Sequence, residues 1–283
     1  MAFEKKSKGM PRPSLELVFH PESDKDYVHF ENALDVPFDA TSIGFSRVNA
    51  WWLADAALLS YWDNTAAGAI FRRAALDSEP FQSAGTQGYV AWDDAFVIVT
   101  LRGTEPDSIL DVATDGRIVM NPWDLPSERV HSGFMEALNE AWDQMNGILS
   151  RLGSRTVWFT GHSLGAALAT LAGDRFLRQA QAHGLGTLGG IYTFGSPLVG
   201  DRQFVDGFNR RCGHKSFRFV NDQDSVTRLP LRLVGYRHVN NERFVGFDDP
   251  DVLFAEPLID HTPRRYAVLV WNALIGGLQG VRP

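Results

Sequence analysis

Residues 155–177, R-T-V-W-F-T-G-H-S-L-G-A-A-L-A-T-L-A-G-D-R-F-L, constrain the chain more tightly than any other stretch. The β-prone run R-T-V-W-F leads straight into G-H-S-L-G, and a small-residue amphipathic helix follows. A strand that becomes a helix within three residues brings two backbones almost into contact. Only residues with little bulk allow this, and Gly161, Gly165, Ala166 and Ala167 stand where they are needed. The residue at the apex, Ser163, is then forced into an unfavourable backbone conformation. The same geometry points the Leu164 N–H at the space above Ser163, where a helix N-terminus favours negative charge. By chance alone G-x-S-x-G would occur about 0.1 times in a chain of this length. The pattern carries weight through the strand before it and the helix after it.

The flanking sequence continues the alternation. Residues 46–61 read as a largely buried helix, and G-Y-V-A-W-D-D-A-F-V-I-V-T-L-R-G (88–103) reads as a hairpin around Asp93-Asp94. A helix over 132–145, strands at 155–159, 190–194 and 216–220, helices at 164–177 and 202–211, a β-rich stretch at 232–245 and a terminal helix near 267–278 complete the order. Strands alternating with helices predict an α/β fold, with a mostly parallel central sheet covered by helices on both faces. No Pro/Ser-rich or charged linker interrupts the chain, so residues 1–283 read as a single domain, with residues 1–45 as an N-terminal extension packed on it. The stretch G-L-G-T-L-G (184–189) mimics a dinucleotide fingerprint. It joins a helix to a strand, the reverse of the order that places a pyrophosphate on a helix N-terminus.

Charge and cysteine content narrow the function classes. A formal net charge of −7 offers no long-range attraction to phosphate backbones, which argues against a nucleic-acid partner. Cys212 is the one cysteine, which excludes an intramolecular disulfide and a cysteine metal cluster, and a buried structural thiol is its plainest role. No metal or nucleotide motif is visible, so no metal or organic cofactor is implied. No transmembrane segment is expected: the stretch at 267–278 is too short and too interrupted by glycine to span a bilayer. The N-terminus lacks an apolar run and the chain lacks an N-x-S/T sequon, from which a cytoplasmic location is expected.

A serine hydroxyl needs a base within hydrogen-bond reach, and the base needs a third group to hold it. Of the histidines beyond Ser163, His183 ends a helix, where it can satisfy the dipole. His214 lies among cationic neighbours in a loop, and His238 sits in a β-rich stretch as runner-up. His261, in I-D-H-T-P, occupies a loop anchored by the terminal helix. His162 is adjacent to the serine and projects away from it. For the acid, Asp222, Asp224 and Asp260 are near in sequence; Asp222 and Asp224 follow the strand at 216–220, and spacing alone does not choose between these two.

With these residues in place, the chain resembles the class 3 lipases, the α/β-hydrolase family that includes the fungal triacylglycerol lipases. L-R-G-T (101–104), V-H-S-G-F (130–134), T-G-H-S-L-G-A-A-L-A (160–169), Y-T-F-G-S-P-L-V-G-D (192–201), V-N-D-Q-D-S-V-T-R-L-P (220–230) and D-H (260–261) are similar to its ordered landmarks, over roughly residues 48–266. The resemblance implies Ser163 as nucleophile, Asp224 as triad acid and His261 as base, with Thr104 and Leu164 as oxyanion-hole residues. Taken by itself Thr104 reads as a strand-end cap. The resemblance also places Asp115 near an acidic position that can hold the oxyanion-hole hydroxyl, His131 at a position outside the triad, and residues 105–129 as a lid. Ile109, Leu110, Val112 and Ala113 form an apolar side within the lid, and Met120, Trp123 and Leu125 follow. The chain departs from the secreted fungal members in having no disulfide, in carrying Thr227 where a proline usually follows the triad aspartate, and in lacking a tryptophan near the start of the lid.

The resemblance implies a serine ester hydrolase, a lipase or carboxylesterase acting on acylglycerols or other hydrophobic esters, with a substrate met at a lipid–water interface. A phospholipase or aromatic-acid esterase would use the same triad. A catalytically silent lipase-like binding protein is the reading from another class, and retention of all three triad residues argues against it.

Overall fold

The two β-rich runs around Asp93-Asp94 pair as expected. Strands β2 (Gln87–Trp92) and β3 (Phe96–Leu101) are antiparallel, with Trp92 opposite Val97. The Asp93 carboxylate accepts from the N–H groups of Ala95 and Phe96 at 2.7 and 2.9 Å and so closes the turn. The computed structural model describes residues 4, 14, 16–103, 119–183, 186–221, 224–229, 235–245 and 259–278. Among these, the helices are α1 (Glu16–Phe19), α2 (Arg47–Leu59), α3 (Asn64–Arg73), α4 (Ser132–Leu152), α5 (Leu164–His183), α6 (Arg202–Cys212) and α7 (Pro263–Leu278).

The main sheet has seven strands in the order β1-β2-β3-β6-β7-β8-β9, with β1 (Asp77–Gln82), β6 (Thr156–His162), β7 (Leu188–Phe194), β8 (Ser216–Asn221) and β9 (Glu242–Val245) beside the hairpin. From β3 to β9 every pairing is parallel. Parallel neighbours need crossovers, and α5 and α6 supply those from β6 to β7 and from β7 to β8. Side chains alternate between two cores. On β6, Val157 and Phe159 join Leu138, Met145, Leu168, Phe176 and Phe208 of α4–α6, while Trp158 joins Trp52 and Trp271 of α2 and α7 on the other face. This is an α/β sheet covered on both faces. Tyr27, Phe30, Val36 and Phe38 lie buried in the α2/α7 core, and Asp55 of α2 accepts from the Tyr27 hydroxyl and from the Phe30 N–H.

Several elements were not expected. β1, D-S-E-P-F-Q, carries a proline and no apolar alternation, and it survives because it is an edge strand. α3 is opened by Asp63, whose carboxylate accepts from the N–H groups of Thr65 and Ala66. A small ribbon, β4 (Met120–Pro122) with β5 (Arg129–His131), stands apart from the main sheet. In the β-rich stretch at 232–245, the described strand is β9 alone.

The G-L-G-T-L-G stretch does join a helix to a strand, and two of its glycines serve packing. A Cβ on Gly186 would lie 1.7 Å from the Arg155 carbonyl oxygen, and one on Gly189 would lie 2.3 Å from the Trp158 ring. Cys212 is buried, and burial first, then Asp174, pushes its thiol up to about 12. No helix among the described residues is long and apolar enough to cross a membrane.

Candidate active site

The turn between β6 and α5 has the conformation its glycines suggest. Ser163 has φ +59°, a left-handed backbone that costs an ordinary residue about 1–2 kcal/mol. A Cβ on Gly161 would come within 2.3 Å of the Gly165 carbonyl oxygen, and one on Gly165 within 2.1 Å of the Leu101 carbonyl oxygen. Strand, turn and helix therefore touch through bare backbone. The Ser163 N–H donates to the Phe194 carbonyl at 2.9 Å, tying the turn to β7, and its own carbonyl accepts from Ala166 N–H at 3.0 Å. Surroundings that determine the turn from both sides are what maintain such strain. Leu164 is the first residue of α5, where backbone N–H groups have no acceptor within the helix.

The sheet's carboxyl edge then brings three distant residues together. His261 Nε2 lies 2.8 Å from Ser163 Oγ, and His261 Nδ1 lies 2.8 Å from Asp224 Oδ2. All three are buried, at 1 %, 3 % and 1 % exposure for Ser163, His261 and Asp224. An ionised carboxylate can only accept, so Nδ1 carries the proton and the Nε2 lone pair faces the serine hydroxyl. Asp224 is held in turn. Its Oδ1 accepts from Val226 N–H at 2.9 Å, its Oδ2 from the Tyr266 hydroxyl at 2.6 Å, and Thr227 donates to its backbone carbonyl at 2.8 Å. The threonine that replaces the expected proline thus closes the same turn by a hydrogen bond. Burial and then the Asp224 charge push the Tyr266 phenol well above its ordinary value, so it remains a donor.

Tyr266 and Gly195 were missed by the sequence reading. Gly195, φ +61°, leaves room for the pair: a Cβ there would lie 2.9 Å from Asp224 Oδ2 and 3.1 Å from His261 Nδ1. Its signal was the glycine of Y-T-F-G-S-P, directly after a buried strand.

The other candidates lie elsewhere or are otherwise engaged. His238 Nε2 donates to the Thr227 carbonyl, and His214 is exposed in a short turn after α6. Asp260 pairs with Arg265 at 2.8 Å. His162 bonds to Tyr61 and to the His261 backbone rather than to Ser163. His131 is buried and stacked on Phe134, with ring centroids 4.3 Å apart, and burial lowers it to about 4. Thr104, Asp115 and Asp222 lie outside the described residues, as does the side chain of His183.

Of the expected lid, residues 105–118 also lie outside the described residues, including Ile109, Leu110, Val112 and Ala113. Its described end is fixed: Trp123 is buried and donates to Asp174 of α5 at 2.9 Å, and Glu128 bonds Arg178 and Arg211 at 2.5 and 2.8 Å.

Residues 98–234 match the family described as Lipase (class 3). A secreted mono- and diacylglycerol lipase of Fusarium solani is 33 % identical over 165 residues, covering 56 % of this chain and 47 % of that protein. A second such lipase, from Malassezia globosa, is 32 % identical over 143 residues, covering 50 % of this chain and 43 % of that protein. The chain thus spans about half the length of the curated relatives it matches. Among solved structures, a Rhizomucor miehei lipase in complex with its propeptide superposes with a TM-score of 0.61 at 23 % identity, covering 80 % of this chain and 81 % of that one, and it shares the fold. The expected cytoplasmic location is corrected by these comparisons, since the Fusarium and Malassezia relatives are named as secreted, which points to export.

Proposed function

We propose that the chain, whose residues 98–234 match the class 3 lipases, is a member of that family and a serine ester hydrolase cleaving acylglycerols and related hydrophobic carboxylic esters. The observation that carries this reading is the continuous chain of two 2.8 Å contacts from Ser163 Oγ through His261 to Asp224. In the proposed cycle His261 Nε2 takes the Ser163 proton as Oγ attacks the ester carbonyl, forming a C–O bond and a tetrahedral oxyanion. Asp224 holds the imidazole in the Nδ1–H tautomer and balances the charge it acquires. His261 then returns the proton to the leaving alkoxide as the ester C–O bond breaks, leaving an acyl group on Ser163. Water, deprotonated by the same imidazole, attacks the acyl-enzyme and releases the carboxylic acid.

The oxyanion hole in this reading is the Leu164 N–H at the start of α5 together with Thr104. Each such donor contributes roughly 3–4 kcal/mol in comparable sites. The reading takes residues 1–283 as one α/β-hydrolase domain, with residues 1–45 packed on it and residues 105–129 as a lid opening toward lipid. The buried side chains at Tyr27, Phe30 and Phe38 support the first part. The exposed apolar Val119 and Leu125, near the fixed Trp123, support the second.

The test is hydrolysis of a chain-length series of p-nitrophenyl esters by wild type and by Ser163→Ala. The proposal expects turnover by the wild type and none above background by the variant. A wild type inactive at every chain length, or an active variant, refutes it.

A further inference from the structure

The scheme above leaves one buried titratable group beside the nucleophile without a task. His162 is 3 % exposed, and both of its ring nitrogens are committed. Nε2 lies 2.5 Å from the backbone carbonyl oxygen of His261, and Nδ1 lies 3.0 Å from the Tyr61 hydroxyl. A carbonyl oxygen can only accept, so Nε2 carries the proton. Nδ1 of a neutral imidazole is then an acceptor, and Tyr61 donates to it. Burial drives His162 well below its ordinary value, and the neighbouring His261 lowers it further. The ring is therefore neutral while His261 gains and loses its proton. The groups facing it are the His261 ring at 4.5 Å between centroids, the Tyr266 ring at 5.8 Å and Tyr61.

The bond to His261 is one of a pair. The preceding carbonyl, that of Asp260, accepts from Asn221 Nδ2 at 3.0 Å. Thr262 closes the turn by donating to the Ile259 carbonyl at 2.8 Å. Two successive carbonyls of the turn that carries His261 are thus gripped by side chains at the carboxyl ends of two strands that flank β7, His162 on β6 and Asn221 on β8. Releasing the His261 carbonyl frees the imidazole to shift against Ser163 Oγ, which it meets at 2.8 Å.

We infer that His162 is a positioning residue for ester hydrolysis: a neutral Nε2–H donor that sets the height of the His261 backbone, with the His261 carbonyl determining which nitrogen holds the proton and Tyr61 donating to the other. This rests on the reading of His261 as the general base. A histidine that merely fills space would tolerate any side chain of similar volume. A directed donor is sensitive to where its N–H stands. Glutamine places an amide N–H near the position of Nε2, asparagine places one near Nδ1, and phenylalanine has none.

The experiment combines kinetics with imidazole nitrogen NMR on the full chain. His162→Gln should keep kcat within several-fold of wild type, while His162→Asn and His162→Phe lose on the order of 10²-fold in kcat with KM little changed. In the NMR spectra, wild-type His162 should be the neutral Nε2–H tautomer at neutral pH and remain so as the pH falls through the ordinary histidine value. Tyr61→Phe removes only the donor to Nδ1 and should leave the Nε2–H tautomer in place, because the His261 carbonyl accepts from Nε2. Phenylalanine as active as glutamine, or a wild-type His162 that is charged at neutral pH or protonated on Nδ1, overturns the inference. If the His162 variants fail to fold, the wild-type and Tyr61→Phe spectra decide alone. A wild type that hydrolyses no ester defeats the proposed function instead, and the spectra still decide the state of His162.

Discussion

Replacing Gly195 by alanine separates backbone strain from the geometry of the His–Asp pair. The residue has φ +61°, so an alanine there costs about 1–2 kcal/mol in backbone conformation alone. Its Cβ would also lie 2.9 Å from Asp224 Oδ2, where ordinary contact begins at 3.4 Å. The carboxylate must therefore retreat by about 0.5 Å, the difference of those two distances, and its retreat lengthens the 2.8 Å bond to His261 Nδ1. A displacement of 1 Å at a reacting group can lower the rate about 10²-fold, so a loss of roughly 10-fold in kcat is expected from half of that. Gly153 provides the control. It has φ +71°, and a Cβ there meets nothing within 4 Å. Gly153→Ala should carry strain at least as large, because its ψ of −140° lies outside the left-handed region, seen as a fall of at least about 2 °C in Tm, and leave kcat unchanged. Initial rates on a p-nitrophenyl ester, paired with thermal unfolding, measure both quantities. Equal kcat losses in the two variants, or none in Gly195→Ala, would refute the argument from contact.

Three further perturbations act on other parts of the account. Gly165→Ala sets a Cβ 2.1 Å from the Leu101 carbonyl oxygen and should cost more than about 3 kcal/mol in urea unfolding, whereas Gly147→Ala, with open space in α4, should be neutral or stabilising by up to about 1 kcal/mol. Glu128→Leu removes one of the two carboxylates that Arg178 and Arg211 share, Asp174 keeping its bonds to both, and it should destabilise by about 1–3 kcal/mol in the same assay. His131, lowered by burial from 6.5 to about 4, binds fewer protons in the folded than in the unfolded state between those values. Its contribution is full above about pH 6.5 and is lost as pH falls toward 4, so stability should rise with pH across that window. His131→Phe should flatten the rise by about 2 kcal/mol, and an unchanged pH profile of Tm would contradict the assignment.

The strand–turn–helix at Ser163 was legible because its requirement is steric and local: glycine and alanine are needed within a few residues of the apex, and the sequence shows them there. The alternation of strands and helices, and with it the parallel sheet, was legible from apolar periodicity. What escaped depends on distant backbone. β1 carries Pro80 and no alternation, and its pairing is fixed by β2 alone. Spacing could not choose between Asp222 and Asp224; Asp224 is marked by its bonds to His261 and Tyr266, which come from distant parts of the chain. Gly195, Asn221 and Tyr266 lie on three different elements and converge only when the sheet is assembled. His162 was set aside as the base, yet its bonds to Tyr61 and His261 span 101 and 99 residues and leave no mark in a local pattern. The expected location failed for another reason, since it rested on the lack of an apolar N-terminal run and of a sequon, and neither fixes a route of export.

The central claim is that Ser163 becomes acylated with His261 as its base. The most direct measurement is mass spectrometry of the intact chain and its peptides after reaction with a p-nitrophenyl alkylphosphonate, which mimics the tetrahedral intermediate and stays attached. The account predicts one adduct per chain, on the peptide containing Ser163, formed rapidly in wild type and at least about 10²-fold more slowly in His261→Ala. An adduct on another residue, or labelling of Ser163 at an equal rate without His261, would contradict it.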